Sequence, residues 1–105
     1  MKRRDRFVFE TFTRRLREEY PVAKVWAFGS RVRGDATAES DFDICIVLEH
    51  VSSADEKRIR EIAWEVAFDN GTVLNTIILS TEEFEQGPMS ESTLVADILR
   101  EGVPA

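Results

Sequence analysis

Two aspartates, Asp41 and Asp43, open the apolar run Ile44–Leu48, and a Gly29-Ser30 pair stands ten residues upstream of them. In an extended strand, residues two apart share a face and lie roughly 6.6 Å apart along it. Asp41 and Asp43 therefore aim together, while Phe42 and Ile44 point the other way, into a core. Two carboxylates about 5 Å apart repel by roughly 3 kcal/mol at an effective dielectric near 20. Such a pair calls for a cation or a shared proton. A hard divalent ion suits it, because Mg²⁺ takes one or two carboxylates and completes its shell with water and substrate phosphates. Gly29-Ser30 supplies a complementary feature. Glycine at a strand end permits close backbone approach to a ligand, amides opening a helical turn donate to phosphate, and the serine hydroxyl rotates to suit. Arg31 and Arg33 offer guanidinium forks matched to phosphate oxygens. The alternative is that Arg31 or Arg33 neutralises Asp41 and Asp43 directly and no metal is needed.

The elements that must position these groups follow from pattern. Asp5–Glu19 carries Val8, Phe12 and Leu16 four apart and reads as a helix stopped by Pro21. Val22–Phe28 reads as a strand ending at Gly29. Ser30–Ser40 reads as a turn or short helix followed by a loop, and Phe42–Leu48 as a central strand. Ser53 with Glu56 predicts a capping box for a helix whose inward face is Ile59, Ile62, Ala63, Val66 and Ala67, closing at Asn70-Gly71. Val73–Leu79 is a third strand. Ser80 with Glu83 caps a short helix through Phe84, broken at Gln86-Gly87-Pro88. A last helix is expected over Ser92–Arg100, with Leu94, Val95, Ile98 and Leu99 inward. Strands alternating with helices predict an α/β layer architecture.

The stretch AFGSRVRGDATAESDFDICIVL, with Gly-Ser, ten intervening residues and Asp-x-Asp entering a strand, resembles the nucleotidyltransferase superfamily that contains DNA polymerase β. Its size is similar to that of the minimal nucleotidyltransferase domains of bacteria and archaea. The tail LSTEEFEQGPMSESTLVADILREGV extends the resemblance over most of the chain. The resemblance implies a small nucleotidyltransferase fold of α/β (α+β) type, a mixed sheet flanked by helices, as one domain over residues 1–105. It further implies that Gly29 and Ser30 contact the triphosphate of a nucleotide such as ATP. Asp41 and Asp43 would be the catalytic carboxylates and hold one or two Mg²⁺ ions, one activating the attacking hydroxyl and one supporting the leaving pyrophosphate. Relatives of this type often act as antitoxins that attach AMP to a tyrosine of a small helical HEPN-type toxin. The superfamily usually adds a third carboxylate from a later strand. At that position this chain has Asn75, whose amide can coordinate through oxygen but brings no charge.

Composition sets the outer bounds. A chain of 105 residues with 43% hydrophobic and 32% charged residues is that of an ordinary globular domain with a core. Fourteen Lys and Arg against twenty Asp and Glu give −6, which argues against broad contact with nucleic-acid phosphates. Seven cations, Lys2, Arg3, Arg4, Arg6, Arg14, Arg15 and Arg17, nevertheless crowd the first segment. The lone Cys45 excludes an intrachain disulfide and reads as a buried thiol. No apolar stretch approaches a membrane span or a secretion signal, so a cytoplasmic setting is expected. His50, Glu82, Glu83 and Glu85 read as loop or helix-start residues, and Trp64 as a packing or partner contact. The sequence thus favours transfer of a nucleoside monophosphate, AMP from ATP, onto a hydroxyl of a partner protein. A nucleotidyltransferase-like module acting by binding alone is the alternative that Asn75 keeps open.

Overall fold

The computed structural model describes residues 1–35, 37, 40–86 and 93–105. The elements run α1 (Arg3–Glu19), β1 (Lys24–Phe28), α2 (Ser30–Arg33), β2 (Phe42–Leu48), α3 (Ser53–Asn70), β3 (Leu74–Ser80), α4 (Thr81–Glu85), α5 (Thr93–Glu101) and β4 (Val103–Pro104). They form a four-stranded mixed sheet in the order β3-β2-β1-β4, with β2 and β3 parallel and β1 antiparallel to both β2 and β4. The α/β expectation and the mixed, helix-flanked sheet are both met.

Strand alternation divides the core. Val25, Ala27, Phe42, Ile44 and Ile46 face α1 and α3, where Val8, Phe12, Leu16, Ile59, Ile62 and Val66 close over them. Phe28, Cys45, Val47 and Leu79 face the other way, against Ile98 of α5, with Trp26, Phe84 and Leu94 at the margin. Trp26 stacks on Phe84 with ring centroids 5.1 Å apart and serves as a packing residue. Burial pushes the Cys45 thiol up to about 12, because a thiolate there would lose its hydration. It is a core residue without a nucleophile's chemistry. Among the described residues no helix is long and apolar enough to cross a membrane.

Several boundaries differ from expectation for local reasons. Strand β1 begins at Lys24, because Pro21 and Val22 form a turn and Val22 stands 80% exposed. The cap of α3 is Ser52 with Asp55, in place of Ser53 with Glu56. Ser52 keeps extended backbone angles and accepts from the Asp55 amide, while the Asp55 carboxylate accepts from the Ser52 amide. The Ser80–Glu83 box is present as expected. Leu99 is exposed rather than inward; Val95 and Ile98, three residues apart, fill the apolar stripe, and the next position rotates past it. The final strand, β4, was not expected; two residues with no periodicity give no signal. Gly87, Pro88 and Ser92, at the predicted helix break and the predicted start of the last helix, lie outside the described residues.

Candidate functional site

The sheet register assembles the site at one end. In the antiparallel pair β1–β2, Phe28 is opposite Asp43, and in the parallel pair β2–β3, Asp43 is opposite Asn75. The end of β1 and the starts of β2 and β3 therefore meet, which brings Gly29, Asp43 and Asn75 together from positions spread over nearly half the chain. Residues 43 and 75 share the parity of Cys45 and Ile77, so both side chains stand on the α4/α5 side of the sheet, beyond the end of its apolar packing.

Gly29 occupies φ +82°, a region L side chains rarely adopt, and a Cβ there would overlap Oδ2 of Asp43. Glycine is required at this position on both counts. The close approach predicted for the Gly-Ser turn is thus made, in the first instance, by the Asp43 carboxylate. Its other oxygen, Oδ1, accepts a hydrogen bond from Nδ2 of Asn75 at 3.0 Å. Asp41 is exposed and Asp43 half-buried, and neither makes an ion pair with any described residue. Ser30 opens α2 half-buried, and its hydroxyl has no hydrogen-bond partner among the described residues. The turn is set by Gly29 O, which accepts from the amides of Val32 and Arg33 at 3.1 Å each.

The two arginines offered as phosphate ligands lie elsewhere. Arg31 turns back under the loop. Its Nη1 meets Oδ1 of Asp5 at 2.8 Å, and its Nε and Nη2 donate to the Ser40 carbonyl at 3.1 and 2.7 Å. The side chains of Arg31 and Asp5 are only 12% and 6% exposed, and the guanidinium carbon lies 6.0 Å from the Phe42 ring centroid. Arg33 is half exposed and bonds Asp35 at 3.3 Å, with Glu101 at 3.9 Å. The possibility that Arg31 or Arg33 neutralises the dyad is therefore overturned: both guanidiniums pair with other carboxylates. Arg31 thereby ties Ser40, the residue before Asp41, to Asp5 of α1. Asp5, its buried partner, was not foreseen, since nothing local connects residues 26 positions apart.

Other candidates fall away by position. His50 and the glutamates of α4 follow the far ends of β2 and β3, opposite the dyad. Among the described residues no cluster of three His, Cys, Asp or Glu side chains is assembled. The arrangement is two carboxylates and an amide, without a basic counter-charge. By donor chemistry this fits a hard divalent ion with one or two carboxylate ligands and phosphate oxygens completing its shell.

Comparison with known proteins agrees with this geometry. Residues 10–102 match the nucleotidyltransferase domain family. Over 77 residues the chain is 34% identical to the "Putative protein adenylyltransferase MJ0604" of Methanocaldococcus jannaschii, covering 71% of this chain and 73% of that protein.

Proposed function

The chain belongs to the nucleotidyltransferase domain family, and from that premise we propose that it transfers a nucleoside monophosphate, AMP from ATP, onto a hydroxyl of a partner protein. The observation that carries this reading is Asp43, held where Gly29 and Asn75 converge, with Asp41 two residues before it and neither carboxylate ion-paired among the described residues. Two like charges with no internal compensation mark a place prepared for an external one. The adenylyltransferase named among its relatives supports the nucleotide and the protein acceptor.

In the proposed reaction the acceptor hydroxyl oxygen forms a bond to the α-phosphorus of the nucleotide. The bond from that phosphorus to the bridging oxygen of the β-phosphate breaks, pyrophosphate leaves, and the hydroxyl proton passes to solvent. Asp41 and Asp43 would hold Mg²⁺, which when bound neutralises phosphate charge and acidifies the attacking hydroxyl. Ser30 donates its free hydroxyl to a triphosphate oxygen. Gly29 keeps the backbone low enough for Asp43 and the phosphates to share the site. Asn75 orients Asp43 by occupying Oδ1. The protein's contribution is mostly positioning and electrostatics. An acceptor of the HEPN type, in a toxin–antitoxin pair, is the assignment that the family resemblance favours.

Asn75 supports a second reading. With an amide beside Asp43 in place of a third carboxylate, the chain would bind nucleotide and partner with little or no transfer. ATP labelled at the α-phosphate, incubated with Mg²⁺, the protein and lysate from its own source, separates the two. Label fixed to a protein band, and lost in the Asp41→Ala, Asp43→Ala double variant, is the expected result. An unlabelled lysate, with Asn75→Asp equally silent, would favour the binding module.

A further inference from the structure

Helix α3 carries an exposed face that neither the core nor the site accounts for. Arg60, Trp64 and Phe68 follow one another at four-residue spacing and line a groove of about 580 Å³ between α3 and the start of β3. Trp64, Phe68 and Val73 are 66%, 72% and 59% exposed. Trp64 and Phe68 stack on each other, with centroids 5.3 Å apart and planes 16° apart. The remaining exposed large apolar side chains, Phe7, Val22 and Leu99, sit on other elements. A cluster of this kind differs from the scattered apolar exposure that any protein surface shows.

Glu61 and Glu65 are satisfied from within, by Arg58 at 3.4 Å and Arg15 at 3.2 Å. Lys57 and Arg60 make no ion pair with any described residue, and Arg60 is the only ionisable residue lining the groove. On a chain of net charge −6, the groove presents aromatic surface edged by one cation, Arg60, that has no ion-pair partner among the described residues. It also reaches the site: Asn75 lines it and donates to Asp43.

From these observations we infer that the groove between α3 and β3 is the docking surface for the acceptor protein, which presents an apolar segment flanked by Asp or Glu. The inference rests on the reading of this chain as a protein-directed nucleotidyltransferase. It supplies what that reading lacks, a surface that holds the acceptor beside the dyad. The patch amounts to roughly 400 Å², taking about two-thirds of the area that such side chains bury. A stable symmetric dimer needs roughly 800 Å² per partner, so the size fits a transient partner better than a second copy. Arg60, placed beside the aromatic pair, gives that partner its charge preference.

The test pairs a photo-reactive phenylalanine analogue at position 64, and a control at exposed position 22, with Arg60→Glu and Phe68→Ser variants. Each variant is first checked for folding and for binding of Mg²⁺-ATP by calorimetry. The expected result is nucleotide binding within about twofold of the parent protein and a loss of acceptor labelling of at least about tenfold, the size of effect a truncated interface anchor produces. Position 64, unlike position 22, should cross-link to the band that receives label, through a peptide bearing apolar residues beside Asp or Glu. Arg60→Glu should abolish that cross-link. Labelling at parental levels in both variants overturns the inference. So does nucleotide binding that falls in step with labelling, which would make the groove the base pocket, and so does a cross-link between two copies of this chain. If the parent protein labels nothing, the transferase reading fails separately. Docking then stands only if the same charge-sensitive cross-link to an acidic-apolar peptide is obtained, and falls if it is not.

Discussion

Two carboxylates near the Gly-Ser turn live under opposite conditions. Asp5 is buried on α1 and faces the Arg31 guanidinium at 2.8 Å. Asp43, half-buried at the mouth of β2, meets the Asn75 amide and lies against the backbone of Gly29, with no ion pair among the described residues. A carboxylate buried in a fold is costly without a counter-charge, and the Arg31 guanidinium stands beside Asp5 as that counter-charge. Asp43 has a neutral donor and open access, so its charge is left for a ligand. The two arrangements are coupled: Arg31 holds the Ser40 carbonyl, one residue before Asp41, and so anchors the loop that delivers the dyad. One aspartate maintains the scaffold, and the other is kept uncompensated by it.

Replacing both dyad aspartates with alanine should separate activity from stability most sharply. Transfer should fall at least about a thousandfold, equivalent to about 4 kcal/mol of barrier, while the urea midpoint barely moves. A variant that unfolds instead would place Asp41 and Asp43 among the structural carboxylates. Arg31→Ala should do the reverse, destabilising the fold by about 3–5 kcal/mol by stranding Asp5, as measured by urea unfolding. A cost under about 1 kcal/mol would erase the contrast between the two sites.

Asn75→Asp tests how far the dyad is poised for a metal. Like charges opposite one another across two strands should cost up to about 1 kcal/mol without metal, and Mg²⁺ should restore the loss and bind several-fold more tightly. A variant indifferent to Mg²⁺ in both unfolding and calorimetry would remove Asn75 from the metal's surroundings.

The smallest effect is expected at the far end of the sheet. The amide of Ser52, together with the Tyr20 hydroxyl and Ser52 side chain, holds the half-buried Asp55 carboxyl below its ordinary range. A depressed carboxyl contributes stability above its unfolded pKa, and that contribution is lost as pH falls through the folded value. Asp55→Asn should therefore lower the urea midpoint slightly at neutral pH, and the difference should vanish well below about pH 4. A difference that persists in acid would show that the cap acts without the charge.

Local chemistry accounts for much of what was legible in the chain. The helical stripe of Val8, Phe12 and Leu16, the strand Phe42–Leu48, the Ser80–Glu83 box and the left-handed Gly71 each depend on neighbours within a few residues. The same holds for the Gly-Ser turn before Asp41 and Asp43. The choice of Asn75 as the residue beside the dyad also held in register, because β3 has a strong apolar run whose alternation leaves few alignments.

Tertiary structure alone decided which charges meet. Nothing within reach of Arg31 along the chain indicates that it will pair with Asp5 rather than with Asp41, Asp43 or a phosphate. That choice follows from α1 packing across the sheet and from the cost of leaving either group buried alone. Nor does sequence distinguish Trp64 and Phe68 from core aromatics, since only the packing of α3 against α1 and the sheet determines which of its faces remains outside. Spacing along the chain specifies the groups and their local direction. Burial and pairing depend on contacts between distant segments, and they separated the carboxylate that stabilises the fold from those left available for chemistry.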